Sequence, residues 1–124
     1  MIGYATIGTN DFERAKAFYD VVLKPLGGRR TLTLDKMQGY GGGAGAMLAI
    51  AIPYDEKPAT PGNGVMIALL APNKDVVDAT YKVALENGAT DEGAPGLRSD
   101  TFYGAYFRDL DGNKICVFKV VKAV

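Results

Sequence analysis

The chain repeats itself. Sliding it along its own length by 62 positions (79 − 17) sets Ala17 on Ala79, Tyr19 on Tyr81, Val21 on Val83 and Leu23 on Leu85. Four identities at alternate positions within seven residues are more than unrelated helices usually share. The period is too long for a solenoid repeat, whose units run to about 50 residues. It fits a duplicated half-domain. At 124 residues the chain has the length of one domain (1–124), read as module one over 1–61 and module two over 62–124. Gly62-Asn63-Gly64, which follows the Pro-rich stretch Pro53–Pro61, is the expected joint.

Each half reads as a strand, a helix and further strands. In module one, Ile2–Gly8 is β-rich and leads into Asn10-Asp11, with Asn10 as the expected helix N-cap and Glu13 completing a capping box. Phe12, Ala15, Tyr19, Val22 and Leu26 recur at steps of three and four, which predicts an amphipathic helix. Pro25 and Gly27-Gly28 mark its end. Arg29–Met37 and Ala46–Ile52 read as strands on either side of a Gly-rich turn. In module two, Val65–Ala71 is a strand, Pro72-Asn73 opens a helix with Val77, Tyr81 and Ala84 on its apolar stripe, and Asn87-Gly88 closes it. Phe102–Arg108 and Lys114–Val120 form a hairpin across the turn-rich Asp109-Leu110-Asp111-Gly112-Asn113. The expected class is α+β, with two tandem βαβββ modules.

Composition closes off several functions. Fourteen Lys and Arg balance fourteen Asp and Glu, so no net field draws the chain to nucleic acid or to an anionic membrane. Cys116 is the only cysteine, which rules out an intramolecular disulfide framework. Met1–Asp11 does not read as a signal peptide, and the seven-residue apolar runs Ala46–Ile52 and Val65–Ala71 fall far short of the roughly 20 residues of a spanning helix. A cytoplasmic protein is expected. The chain contains no His, which removes the commonest metal ligand and the usual partner of a nucleophilic thiol.

Three local signatures resemble one known group. Asn10-Asp11-Phe12-Glu13-Arg14-Ala15-Lys16-Ala17-Phe18-Tyr19 resembles the opening helix of the glyoxalase/bleomycin-resistance/dioxygenase superfamily, the vicinal-oxygen-chelate fold. Gly93-Ala94-Pro95-Gly96-Leu97-Arg98 is similar to a stretch common in its small bacterial members. Arg108-Asp109-Leu110-Asp111-Gly112-Asn113-Lys114-Ile115 resembles its R-D-P-D-G-N-x-I hairpin, with Leu110 where Pro is usual. The resemblance implies curved sheets around a cleft. In metal-dependent members it implies a divalent ion held by His or Gln on a module's first strand and Glu on its last. Those positions fall here on Tyr4, Met66 and Cys116: a phenol, a thioether and one thiol. Zn²⁺ and its neighbours prefer imidazole, thiolate and carboxylate in convergent sets, and Mg²⁺ wants carboxylates. No metal and no other cofactor is expected, although Met66 and Cys116 leave a Cu(I) site conceivable.

Strand parity keeps Tyr4, Met66 and Cys116 pointing into the cleft, either as ligand contacts or as core filling after loss of the metal. Gly93–Leu97 reads as a Gly/Pro-rich loop leading to Arg98; if Arg98 points inward, its guanidinium suits a carboxylate or phosphate. Tyr40, Tyr103 and Tyr106 are wall candidates, and parity lets only one of Tyr103 and Tyr106 face the cleft. Gly39–Gly45 fails as a phosphate loop, because no Gly-Lys-Ser/Thr follows and a strand rather than a helix comes next; it reads as a flexible hairpin. Asp109 and Asp111 belong to the turn and not to a catalytic pair. The expected ligand-binding set is Tyr4, Tyr40, Met66, Arg98, Tyr106 and Cys116.

Three functions compete on these residues. The first is a metal-free protein that encloses a small molecule. The second is a metal-independent lyase or isomerase using Tyr4, Arg98 and Asp100 for proton transfer. The third is an interaction protein whose dimer surface is the function. The resemblance implies a homodimer, since members of the superfamily commonly pair, with the cleft formed either within one chain or across the pair.

Overall fold

The computed structural model describes residues 1–122. Two four-stranded mixed sheets and two helices follow one another in the order β1 (Tyr4–Gly8), α1 (Phe12–Val22), β2 (Arg29–Thr33), β3 (Met37–Gly41), β4 (Met47–Ala51), β5 (Ile67–Leu70), α2 (Lys74–Glu86), β6 (Thr90–Ser99), β7 (Phe102–Arg108) and β8 (Lys114–Val120). The sheets run β1-β4-β3-β2 and β5-β8-β7-β6, so each module repeats the other's topology. In each, the first strand lies parallel to the last, and the rest are antiparallel. A parallel pair needs a long crossover, and the helix and hairpin of each module supply it. The curved, unclosed α+β architecture is the one expected. The β7–β8 hairpin has the bounds expected on either side of its turn-rich stretch.

Local chemistry sets the helix ends. Asp11, rather than Asn10, caps α1 by accepting from the Arg14 amide. Asn10 is taken up elsewhere: its side chain exchanges two hydrogen bonds with the Ala59 backbone, at 2.7 and 3.0 Å. A short 3-10 turn, Lys24–Leu26, then closes on Gly27 at φ 76°, a left-handed conformation that a side chain would strain. Asn73 caps α2 by accepting from the Val76 amide.

Three stretches depart from the expected elements. Arg29–Met37 is broken by a turn, where the Leu34 amide bonds to the Met37 carbonyl. The Gly-rich run is not all turn, because Gly39 and Gly41 lie inside β3. A Cβ on Gly39 would come within 3.1 Å of Leu32 Cβ, so the bare backbone makes room for the neighbouring strand. Gly93–Arg98 is likewise strand rather than loop: it belongs to β6, paired with β7 through several register shifts.

The helix-covered faces of both sheets contribute to a shared core cluster, beside a smaller one of Ala71, Val77, Ala105 and Val117 under α2. Ile7, Leu48 and Ile50 from the first sheet and Phe107 and Ile115 from the second cluster with Ala15, Phe18, Tyr19 and Val22 of α1 and Ala84 of α2. Where the modules meet, buried Asp109 gathers four hydrogen bonds. Its Oδ2 accepts from the Tyr19 hydroxyl at 2.6 Å and from Asn113 Nδ2 at 3.0 Å, and its Oδ1 accepts from the amides of Asp111 and Asn113. Asn113 Nδ2 also donates to the Gly8 carbonyl, and the Asn10 amide donates to Asp111. Burial, followed by the charge of Asp109, pushes the Tyr19 hydroxyl well above its ordinary range, so it stays a neutral donor.

Removing that donor leaves a buried carboxylate short of a partner, which typically costs about 1–3 kcal/mol. Tyr19→Phe is therefore expected to lower the urea midpoint by that amount of stability with an unchanged m-value.

Candidate functional site

Because one face of each sheet is spent on the shared core, the opposite faces are the ones open to ligand. Alternation along the strands sorts the side chains. On β7 and β8, Ala105, Phe107, Ile115 and Val117 go to the core. Tyr106, Cys116 and Phe118 therefore take the other face, and Tyr106 lies directly opposite Cys116 in the ladder. The choice between the two tyrosines resolves to Tyr106. Tyr103 turns to the helix side, where its hydroxyl donates to Asp78 of α2 at 2.6 Å.

Arg98 joins this group, with its guanidinium 5.3 Å from the centre of the Tyr106 ring. Lys114 Nζ is 5.6 Å from the same ring. Lys114 is absent from the sequence-based set, although it shares the parity of Cys116 two positions along β8, and that signal was enough to find it. Phe102 and Phe118 stack on the same face, 5.1 Å apart with planes at 7°. Gly104 makes this stack fit, since a Cβ there would stand 2.8 Å from the Phe102 ring. Cys116 is fully buried beneath these side chains. Burial raises its thiol pKa, against a downward pull from Tyr106, Arg98 and Lys114. Burial likewise raises the Tyr106 hydroxyl, with Cys116 adding to the effect. Both groups are neutral near pH 7.

The remaining candidates are spread over both sheets. Met66 precedes β5 and is 43% exposed; it has the parity of Ala68, which pairs with Cys116. Tyr4 is 53% exposed and stands on the first sheet, opposite Met47. Tyr40 is misassigned as a wall residue. It is only 2% exposed and faces α1, where its hydroxyl meets the Lys16 carbonyl at 3.1 Å and Asp20 Oδ1 at 2.9 Å. Burial and then Asp20 raise its pKa. Its place is structural: with it, Arg30 grips Asp20 through two bonds of 2.8 Å. On the open face of the first sheet, Thr6, Gly8, Met37, Ala51, Ile52 and Leu34 line a groove of about 560 Å³, within the usual range for small-molecule sites.

The sequence profile of the Glyoxalase/Bleomycin resistance protein/Dioxygenase superfamily matches residues 1–117. The chain belongs to this superfamily. A glyoxalase/bleomycin resistance protein from Albidiferax ferrireducens T118 is 37% identical over 96% of this chain and 98% of its own, with a TM-score of 0.89. A superfamily enzyme from Burkholderia phytofirmans PsJN shares the fold at 22% identity, with a TM-score of 0.76 over 96% of this chain and 98% of that one. So does a lactoylglutathione lyase from Agrobacterium tumefaciens, at 21% identity and a TM-score of 0.68 over 96% and 92%. No curated protein sequence matches the chain.

The divalent ion that the superfamily implies does not suit the donors found here. A neutral buried thiol, a thioether and a phenol on a different sheet are poor ligands for such an ion. No group of three or more His, Cys, Asp or Glu side chains converges among the described residues. Glu92 of β6 is engaged by Arg108.

The Tyr40–Asp20–Arg30 cluster carries a pH signature. The hydrogen bonds from Arg30 hold the Asp20 carboxyl below its ordinary range, against the opposing effect of burial. A depressed folded-state pKa gives stability that is present above the unfolded value, roughly pH 4, and lost as pH falls through the folded one. Thermal melts should therefore show wild type above Asp20→Asn at pH 7, with the gap closing progressively below about pH 4.

Proposed function

We propose that this superfamily member is a metal-free small-molecule-binding protein that works as a homodimer in the cytoplasm. The observation that carries the reading is the pairing of two open sheet faces with unsuitable metal donors. One face offers a groove of about 560 Å³, the other an aromatic and cationic surface around Tyr106. Side chains at the positions of the family's ligands are Tyr4, Met66 and Cys116, which contribute packing or ligand contact rather than charge.

What these faces leave uncovered supports the homodimer. Small-molecule sites usually enclose most of their ligand, and an open sheet face cannot do so alone. Tyr4, Met66, Leu70 and Val120 are each more than two-fifths exposed, and a second copy would cover such apolar surface while adding the missing wall. Lyase or isomerase chemistry has less support. A general base works best with a pKa near the working pH, and Tyr106 and Cys116 are both shifted upward, toward their neutral forms. The free, buried Cys116 is at ease in a reducing compartment.

Thermal melts of the purified protein across a broad metabolite and antibiotic panel are expected to yield compounds that raise the melting temperature, by the linkage of binding to stability. Light scattering of the same sample is expected to give twice the chain mass. A strict monomer whose melting temperature no compound moves would refute the proposal.

A further inference from the structure

The geometry of β6 and β7 points to the chemical class of the ligand, an inference that rests on the binding reading above. Arg98 is held by its surroundings. Its Nη2 donates to the Ala94 carbonyl, and the guanidinium lies over two glycines of the same strand. A Cβ on Gly93 would stand 3.0 Å from Nη2 and 3.1 Å from Tyr106 Cδ2; one on Gly96 would stand 3.1 Å from Nη1. The irregular pairing of β6 with β7, which shifts register on both sides of Gly93, creates this notch. The Gly93-Ala94-Pro95-Gly96-Leu97-Arg98 stretch is thus a mount for one guanidinium beside one aromatic ring.

What the guanidinium lacks is an anion. Arg30 has Asp20 and Arg108 has Glu92, but neither Arg98 nor Lys114 has a carboxylate within 4.0 Å among the described residues. Two positive groups therefore flank the Tyr106 ring without compensation. Bringing two like charges to one ring has a Coulombic cost, which a bound anion would reverse. A guanidinium presents a planar fork that matches carboxylate or phosphate oxygens, and an ammonium adds a second point charge. Alongside, the stacked Phe102 and Phe118 offer apolar surface on the same face.

We infer that Arg98 and Lys114 form an anion-binding pair on the open face of the second sheet, selecting a small organic anion whose apolar body lies toward Phe102 and Phe118. Tyr106 positions both cations between the ligand and the buried Cys116. Gly93 is a positioning residue, because any side chain there displaces the guanidinium.

Binding of benzoate, phenyl phosphate and neutral benzamide, followed by calorimetry and by chemical-shift changes at Tyr106 and Lys114, tests this directly. One or both anions are expected to bind at least about tenfold more tightly than benzamide, in keeping with a charge-assisted hydrogen bond. The stronger of the two identifies carboxylate or phosphate ester as the preferred group. Arg98→Gln, at an exposed position, is expected to erase the preference, and Lys114→Gln to reduce it. Gly93→Ala should act like Arg98→Gln; if it fails to fold, the Arg98 and Lys114 variants carry the test. Equal binding of all three probes, unchanged in Arg98→Gln, would overturn the anion inference while the binding reading stood. No binding of any probe at millimolar concentration would count against both.

Discussion

A single buried carboxylate organises this molecule. Asp109 sits at the tip of the β7–β8 hairpin in module two, yet its strongest side-chain partner, Tyr19, lies on the helix of module one. A charged carboxylate is tolerated away from water only when its oxygens are satisfied, and Asp109 has four donors. Two of them are amides of its own turn, so the interaction that shapes the turn also fixes the second module against the first. Asn113 completes the lock by reaching back to the carbonyl at the end of β1. The Asp-x-Asp-Gly-Asn turn is therefore a joint between modules as much as a hairpin loop.

That joint commits the helix-covered faces of both sheets to one core and leaves the opposite faces open. The consequence is functional. In a chain with the superfamily's usual donors, the first and last strands of a module would carry His or Gln and Glu. Here the open faces present a phenol, a thioether, a buried thiol and a pair of cations around Tyr106. The Albidiferax ferrireducens relative shows how closely the scaffold itself persists at 37% identity. Burial of Cys116 and Tyr106 keeps both neutral, which favours contact and packing over proton transfer.

Much of the fold was legible along the chain. The duplication revealed two modules, and the Asp, Gly and Asn of the turn between β7 and β8 set their facing ends. Other features escaped for identifiable reasons. Gly93–Arg98 has the composition of a loop, but its glycines serve a bulged strand in which a guanidinium needs bare backbone. Tyr40 lies in a glycine-rich strand with few side chains to anchor its parity, so its inward turn toward Asp20 gave no local sign. Between Tyr103 and Tyr106, alternation showed that one must face outward but not which. Lys114 was readable from the same alternation, once Cys116 was placed. The Tyr19–Asp109 contact joins residues 90 positions apart, and nothing in either neighbourhood announces the other.

On this reading the scaffold functions without the metal of its metal-dependent relatives. Plasma mass spectrometry of untagged protein, whose metal content no tag histidines can inflate, measures it most directly. The account predicts far less than one equivalent of any transition metal per chain, and a melting temperature that a chelator leaves unchanged. A stoichiometric metal with a chelator-sensitive melt would contradict it and would move the protein among the metal-dependent members of its superfamily.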